Sequence, residues 1–208
     1  MSVGHPEQPA RLGAIEDQLR VRGLDAFLLH HEAPRASDEQ IARVHPQSFI
    51  DELRGRSPAQ AVVALDPDTM MCPGTLEAAL HAAGANVLAT DLVMAGTAQR
   101  AFCNVRPPGH HAERQRAMGF CFFDNVAVGA AHAMDVHGLE RVAILDFDVH
   151  FGNGTADIFR NYHRVLLCST YEYPLYPGIN PPTIPRQSIN CPLPAGSDGA
   201  AFRQAVTD

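Results

Sequence analysis

Residues 141–155 read RVAILDFDVHFGNGT. An apolar run, 142–145, leads directly into Asp146, Asp148 and His150, and then into a Gly-rich turn. Buried carboxylates are costly unless their charge is compensated, and the compensation expected here is a metal ion. Alternate residues of extended backbone share a face. The three polar side chains are therefore expected to point together, with Phe147 and Val149 entering the packing. A carboxylate oxygen and an imidazole nitrogen suit zinc, whose catalytic sites keep one position open for water. The plainer alternative is an Asp that caps the next helix beside a solvated histidine. The D-x-D-x-H spacing behind an apolar strand favours ligation.

A second constellation, RPPGHHAERQRAMGFCFFDN, spans residues 106–125. Each proline fixes φ, so Pro107 and Pro108 with Gly109 place His110 and His111 on a stiffened loop. Histidine titrates near neutrality, so an adjacent pair can divide the work of general base and general acid. Each ring then needs an acceptor that sets its tautomer, and Asp146 and Asn153 are acceptors of the right type. Cys121 and Cys168 read as small buried residues rather than nucleophiles.

The elements that must position these residues alternate between helix-like and strand-like segments, which predicts an α/β fold. PARLGAIEDQLRVRG has Leu12, Ile15 and Leu19 on one helical face, DAFLLHH reads as a short buried strand, and Ser37 with Gln40 makes a capping box. A helix over PGTLEAALHAAG is expected to end at Gly84. Another over DNVAVGAAHAMDVHG is capped by Asp124 or Asn125 and stopped by Gly138. RVAILDF and RVLLCST are strands joined by the helix of GTADIFRNYH, a βαβ unit and hence a parallel pair. In such sheets ligands bind beyond the carboxyl ends of the strands, where Asp146, Asp148 and His150 fall. Asp198 begins a last helix, with Phe202 and Val206 at i, i+4.

At 208 residues and 46% hydrophobic, the chain is long enough for one domain with a sizeable core. A net charge of −7 gives no basic footprint, so no direct nucleic-acid binding is expected. Five dispersed cysteines without a CxxC pair suggest no disulfide framework. The N-terminus lacks the basic-then-apolar pattern of a secretory signal, and no apolar run approaches membrane-spanning length. A cytoplasmic protein without membrane contact is expected.

HPEQPARL, RVHPQSFI, RPPGHHAE, GFCFFDNVAV, LDFDVHFGNGT and LYPG follow one another as in the histone deacetylase family, which this chain resembles over essentially its whole length. The resemblance is to the bacterial deacetylase-like and class II branch. It implies the arginase/deacetylase-like α/β fold and zinc-dependent hydrolysis of acetyl-lysine or a related acyl amide. Asp148 and His150 then match two of three protein zinc ligands. His110 and His111 match the tandem histidines that handle the water and amine protons. Asp146 matches the carboxylate orienting the first histidine and, with Ser169, contacts of a structural potassium. Asn153 takes the place of the second histidine's partner. Phe120 and Tyr176 match the aromatic walls of the lysine channel, and the Gly119 carbonyl resembles the acceptor of the substrate amide. Asp68 is the candidate for gripping substrate at the rim, and Arg11 falls near an interior arginine.

The chain departs from the family pattern at several positions. Phe151 and Tyr171 stand where histidines are frequent, Asp124 where Asn is frequent, and Ile179 where Thr is common. The third zinc ligand and the oxyanion-stabilising residue belong to later loops that these 208 residues do not reach. The chain is therefore expected to be a fragment cut within its last helix. The leading expectation is a zinc deacylase acting on acetylated lysine in a peptide or protein, or on an acetylated small amine. A polyamine deacetylase is the rival within enzymes, and a truncated non-catalytic acyl-lysine- or partner-binding relative the rival outside them. The HH and GFC motifs speak against a two-metal arginase-like hydrolase.

Overall fold

The computed structural model describes His5 and residues 7–207. The expected absence of a leader in residues 1–4 and the cut at Asp208 lie outside the described residues. Helix α1, Ala10–Val21, half-buries Leu12, Ile15 and Leu19, the face its periodicity marks.

The next segment corrects an expectation. DAFLLHH forms a 3-10 turn, Asp25–Phe27, followed by unpaired chain, and Phe27 and Leu29 are 86% and 80% exposed. Its apolar content suits a strand, but a strand also needs a neighbour for its backbone groups, and none of the described strands pairs with it.

Helix α2, Asp38–Ala42, carries the reciprocal Ser37–Gln40 capping box, and α3 is Gln47–Arg56. Strands β1, Val63–Ala64, and β2, Met70–Met71, make a short antiparallel pair. Helix α4, Thr75–Met94, does not end at Gly84. A Cβ there would lie 1.9 Å from the Pro34 carbonyl oxygen, so this glycine serves the crossing of a preceding segment rather than termination.

Helix α5, Asn125–Asp135, is capped by the Asp124 side chain, which accepts from the Ala127 N–H. Strand β3, Val142–Asp146, helix α6, Asn153–Phe159, and strand β4, Val165–Glu172, form the expected βαβ unit with parallel pairing. The sequence reading missed β5, Ser188–Leu193, which adds a third parallel strand on the far side of β4. Helix α7, Gly199–Thr207, starts where Asp198 accepts from the Ala200 and Ala201 amides.

The core joins α4 and α5 to the inner face of the sheet through residues such as Leu80, Val87, Val128, Ile144 and Leu167. Phe147 and Val149 do not join it: they are 75% and 50% exposed. They fall on the same side as Ala143 and Leu145, and that face of β3 is itself exposed, with Leu145 at 64%, so it is the even-numbered side, carrying Ile144, that packs inward. Among the described residues, no helix is long and apolar enough to cross a membrane.

Candidate active site

The tandem histidines sit between the carboxyl end of β3 and the start of α6, and each ring has one nitrogen committed. His110 Nδ1 lies 2.8 Å from Asp146 Oδ2, and His111 Nδ1 lies 2.8 Å from Asn153 Oδ1. The second tautomer follows from the hydrogen bonds around Asn153. Its Nδ2 donates to the Glu113 carboxylate at 2.8 Å, so Oδ1 faces His111 and accepts from Nδ1–H. The lone pair of His111 is left on Nε2. Glu113, three residues past His110, orients Asn153 in this way, a contact that the sequence reading missed.

The two rings are 4.1 Å apart, yet their environments push them in opposite directions. For His110, burial opposes protonation, but the hydrogen bond and charge of Asp146, with Asp148 and Asp124 behind them, outweigh it and raise the pKa. For His111, burial and then the neighbouring His110 lower the pKa to about 4. Titratable neighbours driven apart in this way divide acid and base roles. Asp146 stays ionised, because the His110 contact overcomes the effect of its burial.

Asp148 and His150 lie in the bend beyond β3, both partly open to solvent. His150 Nδ1 is 3.0 Å from Asp148 Oδ1, and the same oxygen is 4.0 Å from His110 Nε2. A ring nitrogen and a carboxylate oxygen thus converge beside the histidine pair, a donor set of the type zinc takes. Asp146 approaches His110 at Nδ1 and Asp148 approaches it at Nε2, while His150 pairs with Asp148.

Ser169 pairs with Asp146 in the β3–β4 register, and its buried Oγ has no hydrogen-bond partner. Three glycines allow close approach around the histidine pair. A Cβ at Gly152 would fall 2.3 Å from Asp146 Oδ2, at Gly154 2.4 Å from the Ala112 oxygen, and at Gly119 2.5 Å from the His111 ring.

Of the two aromatic residues expected at the site, Tyr176 lies against the histidines, and Phe120 is packed edge-on against His5. Tyr176 meets the His111 and His150 rings edge-on at 5.0 and 6.0 Å. Burial, with Asp68 and Asp66 nearby, pushes the Tyr176 phenol up to about 12, so it stays neutral. Phe120 takes a positive φ of 68°, unusual for an aromatic residue, and its N–H donates to Thr69 Oγ1 at 3.1 Å. Thr69 Oγ1 in turn donates to Asp68 Oδ1 at 3.0 Å, which links that carboxylate to the Phe120 backbone. The Gly119 carbonyl accepts from the Cys121 thiol. Arg11 joins Arg106 in flanking the buried Glu7 carboxylate, at the root of the histidine loop.

Asp91, His132 and His137 form a second cluster that the sequence reading did not find, with both histidine Nε2 atoms 2.7 Å from Asp91 Oδ1. Arg43 donates to His132 Nδ1 at 2.9 Å, which leaves the ring proton on Nε2, pointing at Asp91. That arrangement suits a hydrogen-bonded link between α4 and α5 and opposes ligation of a metal through Nε2.

An α/β domain thus pairs tandem histidines with a carboxylate and an amide, beside an Asp–His pair. The histone deacetylase domain matches residues 5–208, and the chain belongs to that family. It is 40% identical to the histone deacetylase-like amidohydrolase of Pseudomonas aeruginosa, over 99% of this chain and 56% of that protein. It is also 40% identical to the human polyamine deacetylase HDAC10, over 80% of this chain and 26% of that one. Among solved structures, the HDA15 HD domain superposes with a TM-score of 0.85 at 32% identity, covering 92% of this chain and 56% of its own. The fold is the arginase/deacetylase-like α/β fold, and the family implies zinc as cofactor. The chain spans little more than half the length of the Pseudomonas relative.

Proposed function

We propose that this chain carries the proton-handling half of a zinc-dependent amidohydrolase that removes acetyl or other acyl groups from lysine side chains or related amines. The observation that carries this reading is the pair of histidines with opposed tuning, His110 clasped by Asp146 and His111 by Asn153. Asp148 and His150 would hold zinc, which supplies a Lewis acid for the acyl carbonyl and makes water a better nucleophile near neutral pH. His111 Nε2, its lone pair free, takes a proton from the attacking water and returns it to the departing amine nitrogen. His110 keeps its proton toward Asp146 and places positive charge where negative charge develops on the acyl oxygen.

Phe120 and Tyr176 form the sides of a slot for the lysine stem, at roughly 0.8 kcal/mol per buried CH₂. The Gly119 carbonyl accepts the substrate amide N–H, and Asp68 grips the substrate at the rim. Asp146 and the unpartnered Ser169 hydroxyl suit a structural potassium. The substrate is an acetylated lysine in a peptide or protein, or an acetylated small amine, met in the cytoplasm by a single catalytic domain. The polyamine deacetylase among the relatives supports the small-amine alternative.

The test is hydrolysis of an acetyl-lysine peptide and of an acetylated polyamine, with and without zinc and with a hydroxamate inhibitor. Zinc-dependent turnover blocked by hydroxamate supports the reading. A folded chain that binds acyl-lysine without turning it over supports the non-catalytic alternative.

A further inference from the structure

The first turn of α6 grips both histidines. Asn153 accepts from His111, while the Gly154 and Thr155 amides both donate to the His110 carbonyl, at 2.9 and 3.2 Å. Gly154 brings no side chain to this contact, since backbone lies against backbone there. Thr155 turns its hydroxyl away from its own helix and donates to Asp124 Oδ2 at 2.7 Å.

Asp124 and Thr155 are both fully buried. The other Asp124 oxygen accepts from the Ala127 N–H at 3.0 Å, at the start of α5. The Asp124 N–H donates to His45 Nε2 at 2.9 Å, and His45 Nδ1 donates to the Arg114 carbonyl. One carboxylate therefore joins the start of α5 to the start of α6. Capping alone does not explain it, because Ser, Thr or Asn cap a helix as well without a buried charge. Burial is costly for the charged form and raises the Asp124 pKa to about 7.

We propose that Asp124 is a positioning residue for the tandem histidines, acting through Thr155 to hold the first turn of α6 against the His110 carbonyl and to keep Asn153 aligned with His111. The inference rests on the reading of those histidines as the proton-handling pair. Asp124→Ala leaves the Thr155 hydroxyl without its acceptor. Asp124→Asn keeps an oxygen for the Ala127 N–H and offers an NH₂ to Thr155 Oγ, so hydrogen bonding survives without the charge.

The test uses the ¹⁵N-labelled chain with two readouts: amide exchange at Gly154 and Thr155 relative to Val87 in α4, and imidazole ¹⁵N shifts that report the His111 tautomer. Asp124→Ala is expected to speed exchange at Gly154 and Thr155 about tenfold or more relative to Val87, and to mix the His111 tautomers. Asp124→Asn is expected to stay close to the unsubstituted protein in both. Equal acceleration at all three amides would make Asp124 a general stability residue and overturn the proposal. So would unchanged exchange in Asp124→Ala, or failure of Asn to rescue. Should Asp124→Ala not fold, Thr155→Val leaves the α5 cap in place and must give the same local signature, or the proposal falls. Neither readout needs turnover, so failure of the deacylase reading would appear as absent hydrolysis with this signature intact.

Discussion

Phe151 and Tyr171 pack with ring centroids 4.9 Å apart at an interplanar angle of 56°, both buried, Phe151 beyond β3 and Tyr171 near the end of β4. They are two of the positions at which this chain carries a ring other than the histidine frequent in its family. The two departures meet in space. A phenyl and a phenol replace two imidazoles, so no imidazole proton has to be placed behind the loop of Asp148 and His150. Tyr171 then donates its hydroxyl to Asn180 Oδ1 at 2.8 Å, bracing the segment that carries Tyr176.

Phe151→Ala is expected to lower stability by roughly 3–5 kcal/mol, the usual cost of emptying a buried aromatic site. Tyr171→Phe, which loses only the bond to Asn180, should cost about 1 kcal/mol. A double-mutant cycle between Phe151→Leu and Tyr171→Leu in urea should show a coupling of about 0.5–1.5 kcal/mol. Full additivity would mean that the rings do not support one another.

At Gly152 the added methyl of alanine would meet Asp146 Oδ2 at 2.3 Å and His110 Nδ1 at 3.1 Å. Gly152→Ala should therefore part that pair while costing about 1–3 kcal/mol in stability. The His110 ring ¹⁵N shifts should lose the signature of a carboxylate-bound Nδ1–H. Retention of that signature would show that the loop can yield.

Asn153→Ala removes the acceptor that fixes the His111 tautomer. In the zinc-loaded, full-length enzyme, kcat should fall roughly 10²-fold or more with little change in KM, because the loss is in proton transfer. A rise in KM alone would place Asn153 in substrate binding instead.

Stability should depend on pH through groups whose signs differ. His45 and His111 have pKa values lowered to about 4, chiefly by burial. The unfolded chain binds their protons first, so their contribution is lost as pH falls from about 6.5 toward 4. Asp124 acts oppositely: its pKa of about 7 lies above the unfolded value of 3.8, so the native state loses stability as pH rises across that interval. Asp124→Asn removes this opposing slope. Between about pH 4.5 and 6, stability of the variant should rise with pH more steeply than in the parent, by about 1.4 kcal/mol per pH unit. Parallel stability curves would mean that Asp124 titrates as an ordinary carboxylate.

Asp148→Ala and His150→Ala should each abolish stoichiometric zinc binding in the full-length protein, measured by equilibrium dialysis, since each removes a ligand atom. Full zinc occupancy in both variants would falsify the ligand assignment.

The βαβ unit and the pairing of His110 with Asp146 and His111 with Asn153 were legible because local patterns specify them. D-x-D-x-H follows an aliphatic strand, and HH follows two prolines. The errors arose where a residue's role depends on distant chain. DAFLLHH has strand composition, but pairing decides whether a strand forms. Gly84 has the composition of a helix end, while its use is close contact with Pro34, 50 positions earlier. Phe147 and Val149 continue the alternation of β3, but composition does not tell which face of the strand is covered, and theirs, with Leu145, is the open one. Glu113 and Thr155 were overlooked because each acts through another side chain, Asn153 and Asp124, and pairings between loops leave no periodic trace.

The glycines at 119, 152 and 154 brace the histidine pair with main chain instead of side chains. In a saturation library selected for a new acyl group, those positions should return glycine whatever the selection. On the proposed reading, adaptive change would gather at Asp68, Phe120 and Tyr176. The floor of this site is closed to innovation while its doorway stays open, so new specificities can arise without renewed search for the chemistry.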